Sequence, residues 1–155
     1  MIFLFILSIG ISLTSLMEKA PQSNDKPLSY LALGDSYTIG EGVPEPDRYP
    51  NQLVEMLNQT GKYSFSPVQI IAKTGWTVDE LEAGIKASTI NPLGYDLVTL
   101  LIGVNNQYRG RPVHDYQQEF EELLKRAIAF ARGNKDHVVV LSIPDWGITP
   151  FAVSK

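Results

Sequence analysis

The chain has 155 residues, 44% of them hydrophobic, and a formal net charge of −4. That length suits one domain with a proper core, and the composition excludes a disordered chain. The acidic balance gives no support to nucleic acid or an anionic membrane as partner, and the lack of cysteine excludes disulfides, zinc–thiolate sites and a lipoprotein anchor.

Residues 1–17, MIFLFILSIGISLTSLM, are uncharged and almost wholly apolar. They read as a signal peptide or signal-anchor, although no Lys or Arg precedes the run and no small-x-small cleavage site is evident. The expected location is therefore secreted or periplasmic, with membrane contact only through this segment if it is retained. Residues 18–26 are polar, contain Pro21, and read as a linker. The domain is expected over residues 27–155.

Leu28–Leu33 is predicted as a strand, arrested at Gly34. Tyr49–Thr60 carries Leu53, Met56 and Leu57 at helical spacing and stops at Gly61. Val68–Ala72 is a second strand. Thr77-Val78-Asp79-Glu80 has the form of a capping box, opening a helix with Leu81 and Ile85 on one face. Leu97–Ile102 is a continuous apolar run, as expected of a strand covered on both sides. Asp115 is predicted to cap a long helix with Tyr116, Phe120, Leu123, Leu124, Ala127 and Ala131 as its inner stripe, ended by Gly133. His137–Ile143 is a fourth strand.

Strand–helix alternation implies an α/β fold with a parallel sheet, right-handed crossovers and helices on both faces. Ligands in such sheets sit at the carboxyl ends of the strands. The residues there are Gly34-Asp35-Ser36, Lys73-Thr74-Gly75-Trp76, Gly103-Val104-Asn105-Asn106 and Pro144-Asp145-Trp146-Gly147. With strand order 2-1-3-4, Ser36 and Asn105 flank the point where the order reverses. A serine hydroxyl beside several N–H donors is the arrangement acyl transfer needs, because negative charge develops on the carbonyl oxygen under attack. Ser36 and Gly75 can each offer a backbone N–H, and Asn105 a side-chain amide.

Through these residues the chain resembles the GDSL or SGNH serine hydrolases. Gly34-Asp35-Ser36 after an apolar strand, with Gly40 following, matches the first block of that family. Gly75 matches the glycine of the second block, and Gly103-Val104-Asn105 matches the G-x-N of the third. The resemblance covers Leu28 to the end. It implies a flavodoxin-like α/β/α fold, Ser36 as nucleophile, and Ser36, Gly75 and Asn105 as an oxyanion hole. It also implies a small-molecule, carbohydrate or lipid ester as substrate, with no cofactor and no metal. Asn106 competes with Asn105 for the donor role, and the family pattern selects Asn105. Asp35 reads as a loop-bracing carboxylate and Asp145 as a turn residue. Tyr37, Trp76, Tyr108 and Trp146 lie where they can line an acyl or sugar pocket, a position that core packing explains equally well.

The Asp-x-x-His block of that family has no counterpart here. His114 reads as a solvated loop histidine, and His137 as a strand-start residue at the wrong edge of the sheet. The chain reads as the first three-quarters of such an enzyme, lacking the last strand and helix. Its base is expected beyond Lys155, and the 155 residues alone are expected to be inactive and poorly stable. The alternatives are a flavodoxin-like binding module, with the Ser36–Gly40 loop cradling a phosphate, and an inactive truncated relative. The G-x-S-x-G elbow fails at Thr38, and neither a Walker A nor a G-x-G-x-x-G sequence occurs.

Overall fold

The computed structural model describes residues 26–150; the apolar start and most of the polar stretch after it lie outside the described residues. The elements in order are β1 (Tyr30–Gly34), α1 (Ser36–Ile39), α2 (Tyr49–Gln59), β2 (Gln69–Ala72), α3 (Val78–Ala87), β3 (Leu97–Leu101), α4 (Val104–Tyr108), α5 (Val113–Phe130) and β4 (Val138–Val140). The four strands form one parallel sheet, as the sequence predicted, in the order β2-β1-β3-β4 that puts Ser36 and Asn105 at the switch point.

Every residue of β1 is buried, because β1 is flanked on both edges and covered on both faces. One face carries Leu31, Leu33, Ile71, Val98 and Leu100, packed against Val78, Leu81 and Ile85 of α3 and Leu123 and Ala127 of α5. Burying each of the larger aliphatic side chains contributes about 1.5–3 kcal/mol. The opposite face is more polar. There the Thr99 hydroxyl meets the phenols of Tyr30 at 2.8 Å and of Tyr49, from α2, at 3.2 Å. Helices on both faces make the three layers. Burial pushes the Tyr30 phenol well above its ordinary range, so it stays protonated and able to donate.

Several sequence expectations are corrected in detail. Met56 is 65% exposed. Tyr49, Leu53 and Leu57 recur every four residues and set the inward line of α2, which Met56 leaves. Asp115 does not cap α5. Pro112 holds the cap position, its carbonyl accepting the Tyr116 N–H at 3.2 Å, and Asp115 sits in the first turn, where its charge suits the helix dipole. At the far end the left-handed residue after the cap is Arg132, with φ of 59°, and Gly133 follows it. The N–H groups of Arg132 and Gly133 bond the carbonyls of Ala129 and Ile128 at 3.0 and 2.9 Å, a Schellman closure. β4 is shorter than expected, since His137 ends a 3-10 turn over Lys135–His137. The Ser36–Gly40 stretch, read as a loop, is the helical turn α1 closed by Gly40 at φ of 68°.

Candidate active site

The site is built where three strands end level with one another. Gly34 is paired with Ala72 on one side and Leu101 on the other, so the residues just beyond each strand emerge side by side. Gly34 has no room for a side chain, since a Cβ would overlap the Thr38 hydroxyl and the Leu101 carbonyl. The chain therefore turns tightly into α1 with Ser36 at its first position. Asp35 caps the turn, its Oδ1 accepting the Tyr37 N–H at 3.0 Å. Its other oxygen is buried without a hydrogen-bond partner among the described residues. Burial raises the Asp35 carboxyl to about 6, against which the Tyr37 N–H works in the opposite direction. Asp35 is thus a bracing residue, as expected of its position.

Ser36 itself is half-buried, and none of the described residues accepts its backbone N–H. The same is true of Gly75, which holds φ of 84° in the turn after β2. A side chain on Gly75 would have space, so its glycine is explained by the backbone angle alone. Opposite this turn, α4 presents Asn105 and Arg109. The Asn105 amide donates one N–H to the Trp76 carbonyl at 2.9 Å. Since a primary amide carries two N–H groups, one remains for a ligand. Arg109 donates to the Gly75 carbonyl at 2.6 Å and to the Glu80 carboxylate at 3.2 Å. On the other flank the Thr74 hydroxyl donates to the Glu41 carboxylate beyond α1.

Asn106 has a different place. It is buried, and its Oδ1 accepts the Val78 N–H at 3.1 Å, which ties α4 to the start of α3. That start is also fixed by the capping box, in which Glu80 accepts the Thr77 N–H at 2.9 Å. The Thr77 N–H, aided by Arg109, holds the Glu80 carboxyl below its usual range. Arg111 bonds Asp79 at 2.6 Å. For Asp79 partial desolvation is outweighed by the Thr77 hydroxyl and Arg111, and its carboxyl also lies low.

The aromatic residues divide. The Trp76 ring packs onto Gly84 of α3, where any Cβ would overlap it, and rests against the core. Tyr37 is 42% exposed beside Ser36. Tyr108 meets Trp146 edge-to-face with ring centroids 5.6 Å apart. Nearby, a cleft of about 350 Å³ is lined by Gly103, Asn106, Gln107, Arg111, Val113, Tyr116 and Ile143. Asp145 accepts the Gly147 N–H at 2.9 Å, a turn residue as read.

Neither histidine joins this group. His137 lines a cleft with Leu28 and Leu97 at the amino edge of the sheet. His114 is exposed in the first turn of α5, and no hydrogen bond links it to Ser36. A cleft of about 540 Å³ also opens at the amino edge, lined in part by Ser29, Gln69, Asn91, Tyr95, Asp96 and Arg132. Its polar groups are largely bonded to one another: Arg132 to Asp96, Ser29 to Asp96, and Tyr95 to Gln69. Among the described residues no three His, Cys, Asp or Glu side chains converge as a metal site. Sequence reasoning missed Arg109 and Glu80. The available signal was spacing, because Asn105 and Arg109, four apart on a helix, share one face.

The layered parallel sheet and the switch-point location of Ser36 and Asn105 define a flavodoxin-like α/β domain. Residues 32–155 match the GDSL-like Lipase/Acylhydrolase family, and the chain belongs to that family. No curated protein matches it. Among solved structures it is similar to AlinE4, described as an SGNH-hydrolase family esterase, at 21% identity and a TM-score of 0.64, covering 78% of this chain and 61% of that one. It is also similar to TesA, at 22% identity and a TM-score of 0.61, covering 81% of this chain and 67% of that one. The psychrotrophic esterase EstA from Pseudoalteromonas sp., solved inhibited by monoethylphosphonate, aligns at 19% identity with a TM-score of 0.54, over 78% of this chain and 64% of that one. These likenesses establish the SGNH hydrolase fold. The chain spans about three-fifths to two-thirds of the length of these structures.

Proposed function

We propose that the protein is a serine esterase that hydrolyses carboxylic esters through Ser36. The observation that carries this reading is that, beyond the ends of three adjoining strands, three N–H groups have no partner among the described residues: those of Ser36 and Gly75, and the second of the Asn105 amide. Ser36 Oγ attacks the ester carbonyl, and its proton passes to a base. The carbonyl oxygen, now carrying the charge, receives the three N–H groups. The carbon–oxygen bond of the ester then breaks, the alcohol leaves with the proton, and water releases the acid from Ser36 by the same path. Preorganised donors act here because they need no reorientation as charge forms, and one such donor is typically worth about 10²–10³ in rate.

In this reading the base is neither His114 nor His137. His137 is at the other edge of the sheet, which supports this assignment. The substrate is an acyl ester of a lipid or carbohydrate, met by the exposed Tyr37 next to Ser36 and by the pair of Tyr108, exposed, and Trp146, half-buried. The apolar residues 1–17 direct export, which N-terminal sequencing of the fractionated protein tests.

The test of the activity is direct. Full-length protein should hydrolyse short p-nitrophenyl esters and be labelled at Ser36 by a fluorophosphonate, and Ser36→Ala should abolish both while leaving the melting temperature nearly unchanged. Labelling at a different serine, or turnover in the variant, would sink the assignment.

A further inference from the structure

We infer that Arg109 is a positioning residue that holds the Gly75 turn against α4, and so sets the distance between the Gly75 and Asn105 donors. This rests on the esterase reading above. Two consecutive peptide groups in the turn are fixed at both ends. In the first, the Gly75 carbonyl accepts from Arg109 at 2.6 Å and the Trp76 N–H donates to Lys73 at 3.2 Å. In the second, the Trp76 carbonyl accepts from Asn105 at 2.9 Å and the Thr77 N–H donates to Glu80 at 2.9 Å. The peptide immediately before these two carries the unpaired Gly75 N–H. Its direction is inherited from the plane that Arg109 fixes.

Arginine suits this task because its planar fork reaches two acceptors at once, here the Gly75 carbonyl and Glu80 Oε1. Glu80 also caps α3, so the fork is itself anchored to a helix end. Asn105, in α4, and Arg109, at its C-cap, together grip successive carbonyls of the turn. The Arg109 and Glu80 side chains are 42% and 39% exposed, which makes a large contribution to stability from this pair unexpected. Nothing else among the described residues bonds the Gly75 carbonyl. With that tie removed, the glycine is free to rotate and its N–H to leave the site.

The test is steady-state ester hydrolysis by full-length protein. Arg109→Met should lower kcat roughly ten- to a hundredfold with KM nearly unchanged, as expected of a misplaced transition-state donor. Arg109→Lys, which reaches one acceptor but not both, should fall between. In an Asn105→Ala background Arg109→Met should cost markedly less than alone, because the pair acts as one unit. Melting curves should show all three variants folded. Unchanged kcat in Arg109→Met, an effect on KM alone, or costs that simply multiply with Asn105→Ala would overturn the inference. Turnover surviving Ser36→Ala overturns the esterase reading instead, and absence of turnover in unsubstituted protein overturns both.

Discussion

The two ends of the sheet use the same kinds of residue in opposite ways. At the amino end, Asp96 accepts from Ser29 through both the backbone N–H, at 2.8 Å, and the hydroxyl, and it pairs with Arg132 at 2.6 Å. Partial desolvation of Asp96 is outweighed by Arg132 and Ser29, and its carboxyl is held at about 2. At the carboxyl end, Asp35 is completely buried with one oxygen unbonded among the described residues, and burial raises it to about 6. Among the described residues the amino-end cleft bonds most of its polar groups to one another, whereas the carboxyl end leaves the Ser36 and Gly75 N–H groups without partners. Unsatisfied groups concentrated at one edge mark where a ligand completes the structure. Size alone misleads here, since the roomy amino-edge cleft is closed on itself by its own hydrogen bonds.

The sharpest way to break this contrast lies within the adjacent pair of asparagines. Asn105→Ala should lower kcat by about 10²–10³ with KM nearly unchanged, because its donor acts mainly in the transition state. Asn106→Ala removes a buried acceptor from the Val78 N–H, and should instead cost about 1–3 kcal/mol of stability. Equal effects on kcat from the two would mean that the donor role belongs to Asn106.

At the amino end, Asp96→Asn should destabilise by about 1–2 kcal/mol at neutral pH and leave kcat untouched. The Asp96 carboxyl lies below its unfolded value, so its contribution is present above about pH 4 and disappears as pH falls through about 2. Denaturant titrations at pH 7 and pH 2.5 should therefore show the variant and the parent converging at acid pH. A loss of kcat would join the two ends functionally and dissolve the contrast.

The smallest effect runs with the opposite sign. The Asp35 carboxyl lies above its unfolded value, so the folded state holds the extra proton between about pH 4 and 6 and loses stability as pH rises through that range. Asp35→Asn keeps an acceptor for the Tyr37 N–H and carries no charge. It should gain about 1 kcal/mol relative to the parent between pH 4.5 and pH 8. A stability difference that does not vary with pH would show that the buried oxygen has a partner.

How much of this was legible beforehand follows the range of the interactions. Parallel order, β1 at the centre and the inner stripes of α3 and α5 were readable, because apolar runs and helical spacing are local patterns. The positions of Ser36, Gly75 and Asn105 at strand ends followed from the topology. Arg109 was not found, since its partners lie about 30 residues away, Gly75 in the turn after β2 and Glu80 in the first turn of α3. Arg132 was also unforeseen. A non-glycine residue at positive φ is held there by Asp96 and the Leu93 carbonyl, bonds that no local pattern encodes. Likewise the exposure of Met56 depended on which line of α2 met the sheet.

The placement of β1 has a consequence for how the chain acquires its shape during synthesis. β1 is the first strand to leave the ribosome, yet both of its neighbours are made later, and the Ser29–Asp96 bond beside it spans 67 residues. One edge of its apolar segment must therefore wait, unpaired, until β2 is translated, and the other until β3 is. Loop closure over that span is slow relative to local helix formation, so refolding should be limited by capture of β3 against β1. Until that capture, the Leu31-Ala32-Leu33 segment has an unpaired edge and is open to binding by a chaperone.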